Sequence, residues 1–178
     1  MKNLISMRKI TKDDIIRLIA ISERIESKEI KPDLSNKLAA LLFFEPSTRT
    51  AFSFDTAMKR LNGKTIMMSG TGTTSVKKGE SFADTIITVS QYADIIVIRS
   101  ATEGSAQYAS EIVNIPVINA GDGSNQHPTQ SLLDLYSIKK TQKKLDNLKV
   151  AVVGDLKFGR AVHSLVYGMS HFSPDFYF

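Results

Sequence analysis

The chain has 178 residues and a formal net charge of +5 at pH 7, with 42% hydrophobic and 23% charged residues. This composition is ordinary for a folded globular protein and too apolar for a disordered chain. The sequence has no cysteine, which excludes disulfides and thiolate metal or redox sites. Its longest apolar run, Leu38 to Phe44, is far shorter than the roughly 20 residues that span a bilayer. We therefore expect a cytoplasmic protein that binds no membrane.

The excess of basic residues does not indicate a nucleic-acid-binding protein. Lysines and arginines are spread along the chain, and the tightest clusters are Lys77-Lys78, Lys139-Lys140 and Lys143-Lys144. The sequence contains no basic stripe with interleaved aromatic residues and no familiar DNA-reading motif. We interpret the lysines of 139–144 as a solvated helix face. A basic bias also suits a small anionic substrate.

The first half of the chain alternates between helical and strand patterns. Thr11 to Asp14 predicts a helix start, and apolar residues then recur on one helical face as far as Ile25. The continuous apolar run over 38–44 is typical of a strand that is buried on both faces. The elements predicted after it are a helix that closes at Asn62-Gly63, a strand over 65–68, a flexible loop over 70–75, a helix over 81–92 and a strand over 95–98.

The second half continues the alternation and then begins it again. A strand over 117–120 runs into a polar, glycine-rich loop, and His127-Pro128 opens a helix. Alternating strands and helices predict an α/β fold with a parallel sheet flanked by helices. After a charged connector over 139–146, we predict a strand from Lys149, a helix over 160–169 and a strand at 176–178.

That last stretch supplies one βαβ unit at most, which cannot bury both faces of a parallel sheet by itself. We therefore predict one domain over 1–146 and, over 147–178, the beginning of a second α/β domain that is incomplete.

A candidate anion site follows the first buried strand. Ser47, Thr48, Arg49 and Thr50 lie where a strand gives way to a helix, so free backbone N–H groups and the positive end of the helix dipole meet three hydroxyls and a guanidinium. A phosphate dianion needs such a set of short donors with one planar cation. The alternative is a helix N-cap beside a surface arginine. The preceding Glu45-Pro46, which fixes the loop, favours a ligand.

The remaining motifs give weaker signals. His127 lies at a second strand-to-helix turn, on the edge of the sheet where ligands of α/β proteins bind, although a lone histidine is more often structural. His163 and His171 do not have the spacing of a metal-ligand pair, and we predict no metal site. The segment 154–161 is similar to a P-loop, but Arg160 and Ala161 replace its lysine and hydroxyl. These two replacements argue against a nucleoside triphosphatase.

Four motifs together resemble the aspartate and ornithine carbamoyltransferase family. They occur in order as Phe44 to Phe54, Ser75 to Ser81, Asn119 to Gln130 and Gly154 to Arg160. The resemblance extends over essentially the whole chain. It is to the aspartate branch, because Thr129 stands where ornithine enzymes typically have cysteine and because those enzymes lack the Lys-Lys-Gly-Glu-Ser loop in this form.

The resemblance implies a role for each matching residue. The phosphate of carbamoyl phosphate would be bound by Ser47, Thr48, Arg49 and Thr50, and its carbonyl oxygen by Thr50, Arg99 and His127. Gln130 would hold the carbamoyl amide, and Arg160 would bind a carboxylate of L-aspartate. Lys78 would enter from the neighbouring subunit of a homotrimer with shared active sites, with either Thr74 or Ser75 as a second contact of that loop.

The family likeness further implies a cytoplasmic enzyme that needs no cofactor, and it admits a regulatory chain as a partner. Two alternatives stay open. One is ornithine carbamoyltransferase. The other is a non-catalytic carbamoyl-phosphate-binding module, which would apply if the natural chain ends at Phe178, since further aspartate-binding residues of the family would follow that point.

Overall fold

The computed structural model describes residues 2–70 and 79–178. Within them, six helices and six strands follow a 3₁₀ turn at Met7–Lys9. The elements are α1 (Lys12–Glu26), β1 (Leu38–Phe43), α2 (Thr48–Arg60), β2 (Lys64–Ser69), α3 (Phe82–Ser90), β3 (Ile95–Ser100), α4 (Ser105–Ile112), β4 (Val117–Asp122), α5 (Pro128–Gln142), β5 (Lys149–Ala151), α6 (Arg160–Ser170) and β6 (Asp175–Tyr177).

The first four strands form one parallel sheet in the order β2-β1-β3-β4, which confirms the predicted α/β fold. The chain leaves β1 for β2 on one side and then crosses to β3 on the other. The strand order therefore reverses between β1 and β3. In open α/β sheets, ligands bind at such a reversal, beyond the carboxyl ends of the strands.

Both faces of this sheet are covered, which explains the unbroken apolar run of β1. Ala39, Leu41 and Phe43 pack with Ala51 of α2, whereas the alternate residues face the other side. The apolar residues of that second side and the helices that cover it are Ala40, Leu42, Ile96, Ile98 and Val117, with Ile86 of α3 and Ala109 of α4. Truncating one of the fully buried leucines of β1 to alanine would cost roughly 2–5 kcal/mol.

A third apolar cluster joins the amino-terminal segment to α1, α5 and α6. Its fully buried members include Met7, Ile15, Leu135 and Met169. The backbone of Leu4 also pairs with β4, donating to Val117 and accepting from Asn119. The cluster therefore packs α5 against α1, α6 and the amino-terminal segment.

The strands β5 and β6 form a separate parallel pair. Each has three residues, so β5 is shorter than the predicted strand that begins at Lys149. The division into domains at 146 and 147 stays a prediction. Across residues 2–70 and 79–178, we find no helix with the length and apolar character needed to cross a membrane.

Two sequence predictions are wrong in part. The helix α4 was not predicted, because its buried face consists of small residues, Ser105, Ala106 and Ala109, which give little hydrophobic periodicity. The connector predicted from 139 is helical as far as Gln142. Its lysines lie on a solvent-exposed surface as predicted, where Lys139 and Lys140 also pair with Glu23 and Glu26 of α1.

Candidate functional site

The amino terminus of α2 presents unused donors at the carboxyl edge of the sheet. Ser47 is the N-cap residue in an extended conformation, and its hydroxyl makes no capping hydrogen bond. Thr48 and Arg49 are exposed and Thr50 is half-buried. Arg49 forms no ion pair with any residue of 2–70 or 79–178. Together with the free N–H groups of the first turn, these side chains can bind a phosphate dianion.

A largely buried guanidinium lies near the end of β3, directly across from the loop that leads to α2. Arg99 pairs with Phe43 in the sheet, and its side chain is 12% exposed. Its Nη1 donates to the carbonyl of Ala120 at 3.3 Å and its Nη2 to Glu45 Oε1 at 3.3 Å. Its Nε is buried without a partner among the described residues. Burial and the nearby charge of Arg160 lower the pKa of Arg99, although an arginine remains protonated at neutral pH.

A second arginine reaches the same place from the first turn of α6. Arg160 contacts Glu45 through Nη1–Oε2 at 3.1 Å and Nη2–Oε1 at 3.3 Å, and its Nη1 also donates to the carbonyl of Gly123 at 2.7 Å. Glu45 therefore bridges Arg99 and Arg160. Burial alone would raise the pKa of Glu45, but the hydrogen bonds and charges of the two arginines outweigh it and lower that pKa. The carboxylate is thus ionised at neutral pH.

Gly121 gives the two guanidinium groups the space they occupy. A Cβ on this residue would lie 3.2 Å from Arg160 Cζ and 3.3 Å from Arg99 Nη1. Its φ of +113° is also one that residues with side chains rarely adopt. Glycine is therefore required here both by the backbone and by the close approach of the arginines.

His127 is the N-cap residue of α5 and is 8% exposed. Its backbone N–H donates to Ser164 Oγ of α6 at 2.8 Å, and its Nδ1 lies 3.3 Å from Thr129 Oγ1. Burial, followed by the positive charges of Arg99 and Arg160, lowers the pKa of His127 to about 4. The imidazole is therefore neutral at pH 7. A Thr129 hydroxyl that donates to Nδ1 leaves the proton on Nε2, where it can be donated to an oxygen.

The structure brings some of the predicted site residues together, and the side chain of one bonds elsewhere. Arg99 and Arg160 meet at Glu45, beside the segment that leads into His127. Gln130 instead bonds to Asp134 along its own helix, at 2.9 Å. The predicted loop contacts Thr74, Ser75 and Lys78 lie outside the described residues.

Sequence reasoning missed Glu45 as the shared partner of two arginines. The available signal was a carboxylate beside a proline in a loop that already held a candidate site. No group of three or more metal-ligating side chains occurs in the part of the chain that the structure describes.

Residues 2–140 match the family model described as "Aspartate/ornithine carbamoyltransferase, carbamoyl-P binding domain". The aspartate carbamoyltransferase catalytic subunit of Parabacteroides distasonis is 55% identical over 99% of this chain and 58% of its own length. The corresponding subunit of Methanococcus vannielii is 55% identical over 97% of this chain and 58% of its own length. The chain thus spans a little under three fifths of the length of these relatives.

The chain is also similar to solved structures of aspartate transcarbamoylases. The catalytic subunit of M. jannaschii aspartate transcarbamoylase superimposes with a TM-score of 0.90 at 50% identity, covering 100% of this chain and 60% of that one. The Trypanosoma cruzi aspartate transcarbamoylase in complex with carbamoyl phosphate and aspartate gives a TM-score of 0.88 at 36% identity, covering 97% of this chain and 55% of that one.

Proposed function

Because the chain belongs to the aspartate/ornithine carbamoyltransferase family, we propose that it acts in the transfer of a carbamoyl group from carbamoyl phosphate to the amine of L-aspartate. The products are N-carbamoyl-L-aspartate and phosphate. This transfer is an early step of de novo pyrimidine biosynthesis, which we place in the cytoplasm. The observation that carries this proposal is that Glu45, in the loop from β1 to the free amino terminus of α2, bonds the largely buried Arg99 of β3 beside the strand-order reversal. His127 lies close enough to Arg99 and Arg160 for their charges, after burial, to lower its pKa.

In the proposed binding mode, the phosphate lies at the amino terminus of α2, against Ser47, Thr48, Arg49 and Thr50. The carbamoyl carbonyl oxygen then accepts hydrogen bonds from Thr50, Arg99 and His127. These donors are set in place before the reaction, and they stabilise the negative charge that develops on that oxygen. Removing one donor from such a site costs roughly 2.7–4 kcal/mol of transition-state stabilisation.

The reaction needs no cofactor. The aspartate amine attacks the carbonyl carbon, a C–N bond forms, and the C–O bond to phosphate breaks. The departing phosphate takes the proton that the amine loses. Positioning of the two substrates and stabilisation of charge supply the catalysis. A neutral His127 fits this scheme because it donates a hydrogen bond without adding a third positive charge beside Arg99 and Arg160.

We assign the aspartate carboxylate to Arg160, whose guanidinium has five N–H donors, more than the three bonds to Glu45 and the carbonyl of Gly123 use. We place Lys78, with Thr74 or Ser75, in a neighbouring subunit's site within a homotrimer, and Gln130 at the carbamoyl amide. Residues 1–146 would bind carbamoyl phosphate, and 147–178 would begin the part that binds aspartate. The family also admits a regulatory chain as a partner of the proposed trimer.

A radiolabelled transfer assay that offers L-aspartate and L-ornithine in parallel tests this function. We expect carbamoyl phosphate to carbamoylate aspartate alone, since the relatives named above are aspartate enzymes. Transfer to ornithine would overturn the proposed substrate. Saturable binding of carbamoyl phosphate without transfer to either amine would favour a non-catalytic binding module.

A further inference from the structure

The turn that carries the site's backbone carbonyls is built around one buried carboxylate outside the proposed catalytic set. Asp122, the last residue of β4, is 1% exposed. Its Oδ1 accepts from Asn119 Nδ2 at 2.7 Å and from the Gln126 N–H at 3.1 Å. Its Oδ2 accepts from the Gly104 N–H at 2.8 Å and from Asn125 Nδ2 at 3.0 Å. Four donors from separate points of the chain therefore converge on this side chain.

These four bonds determine the course of residues 119–126. Asn119 continues the network, because its Oδ1 accepts from the Gly121 N–H at 2.8 Å and its Nδ2 also donates to the carbonyl of Ile5. The backbone of Asp122 closes the turn by pairing with Gln126. A buried carboxylate without such donors would be strongly destabilising, so the network and its charge depend on each other.

The same turn holds both arginines of the site. The carbonyl of Ala120 accepts from Arg99, and the carbonyl of Gly123 accepts from Arg160. Each of these carbonyls lies within two residues of Asp122 along the chain. Displacing the turn would therefore move both guanidinium groups, and it would move His127, which follows the turn directly.

We propose that Asp122 is a positioning residue. Its buried carboxylate fixes the conformation of the 119–126 turn, and the turn thereby fixes the positions of Arg99, Arg160 and His127 at the substrate site. This inference rests on the proposed function for its choice of ligand. The carboxylate itself touches no substrate. It acts through the turn, to which Ser47, Thr48, Arg49 and Thr50 make no hydrogen bond among the described residues.

Asp122→Asn is the decisive variant. An amide of the same shape accepts at one oxygen only, so in either orientation its NH₂ faces two of the four donors. We expect affinity for carbamoyl phosphate, whose carbonyl would contact Arg99 and His127, to fall at least about tenfold by calorimetry. Affinity for inorganic phosphate, bound at α2, should change less than about twofold, because the donors of α2 make no direct hydrogen bond to the turn.

Asp94→Asn is the matched control. Asp94 also accepts a backbone N–H, from Leu38 at 2.8 Å, but it lies at the opposite, amino-terminal edge of the sheet. We expect it to lose stability without changing the affinity for either ligand. The positioning role would be overturned if Asp122→Asn lost affinity equally for both ligands or kept its affinity for carbamoyl phosphate. It would also be overturned if Asp94→Asn showed the same selective loss of carbamoyl phosphate affinity.

Two further measurements keep the test decisive. Asn125→Ala removes one of the four donors to Asp122 and places no N–H group against another. It should therefore show the same selective loss of carbamoyl phosphate affinity at a smaller size, and it provides this test even if Asp122→Asn does not fold. The Nε–H NMR signals of Arg99 and Arg160 should shift in Asp122→Asn and stay in place in Asp94→Asn. If the wild-type protein binds neither ligand, the proposed function fails, while these signals still confirm or refute the positioning of the arginines.

Discussion

Two halves of the candidate site are built in contrasting ways. The amino terminus of α2 is assembled from four consecutive residues, is largely exposed, and leaves Ser47 and Arg49 without partners among the described residues. The arginine cluster is assembled from Glu45, Arg99 and Arg160, which are up to 115 residues apart, and every member is already bonded within the protein. The first half is open to a ligand, and the second is held rigid in advance.

Mutations in the two halves should therefore differ in their effects on ligand binding and on folding stability. A free donor contributes to ligand binding and little to folding. A bonded, partly buried charge contributes to both, because its removal leaves its partners without compensation. Four substitutions test this contrast, and they follow in decreasing order of their expected effect on stability.

Gly121→Ala should have the largest effect, on the arginine cluster. The new Cβ would approach Arg160 and Arg99 within about 3.3 Å at a φ of +113°. We expect a loss of about 3 kcal/mol of unfolding free energy, from backbone strain and overpacking together. Gly154→Ala is the control, because its φ is +132° and nothing lies within 4 Å of its added Cβ. If urea unfolding shows equal losses for the two variants, close packing of the arginines against Gly121 is contradicted.

His127 should make the protein sensitive to acid. Its folded-state pKa of about 4 lies below the ordinary value of 6.5, so between these values the unfolded chain binds a proton that the folded protein does not. Stability should therefore fall as the pH drops from 6.5 to 4, by about 3 kcal/mol at about 1.4 kcal/mol per pKa unit. His127→Gln should flatten this slope in chemical unfolding series. His171→Gln, which makes no hydrogen bond to the cluster, should retain it, and an unchanged slope in His127→Gln would refute the prediction.

Glu45→Gln should destabilise the cluster more modestly. It leaves Arg99 and Arg160 facing each other without the shared carboxylate, and we expect a loss of about 1–2 kcal/mol at pH 7, since Glu45 is 30% exposed. The pKa of Glu45 is lowered below its ordinary value of 4.5. Its contribution is thus fully present above pH 4.5 and is lost as the pH falls through the lowered folded-state value.

The matched control for Glu45 is Glu29→Gln, which breaks an exposed pair with Arg24. This change should cost no more than about 0.5 kcal/mol by thermal or urea unfolding. Equal destabilisation by the two variants would mean that the Glu45 bridge is an ordinary surface ion pair.

Ser47→Ala should have the smallest effect on folding. The Ser47 hydroxyl makes no capping bond, whereas Ser81 Oγ caps α3 by accepting from the Asp84 N–H at 3.1 Å. We expect Ser47→Ala to change stability by less than about 0.5 kcal/mol and Ser81→Ala to cost about 1 kcal/mol. A full capping loss at Ser47 in thermal unfolding would show that its hydroxyl stabilises the helix and is not reserved for a ligand.

The same contrast explains what could be predicted from the sequence. The strand, the turn and the hydroxyl-rich helix start over 38–50 are local, so the residue pattern alone predicts that half of the candidate site. The roles of Arg99, His127 and Arg160 came from the family resemblance. The bridging of Arg99 and Arg160 by Glu45 was not predicted, because it depends on the reversal of strand order between β1 and β3, which no local pattern encodes. The helix α4 was missed because small residues form its buried face.

Calorimetric titration with carbamoyl phosphate tests the role of the α2 amino terminus most directly. The wild-type protein should bind one equivalent, and Arg49→Ala should weaken binding by at least about tenfold while leaving the unfolding midpoint unchanged, because a charged hydrogen bond to phosphate is lost from an exposed position. Arg60→Ala, at the opposite end of the same helix, should bind as the wild type does. Undiminished binding by Arg49→Ala would contradict the assignment of phosphate to this helix terminus.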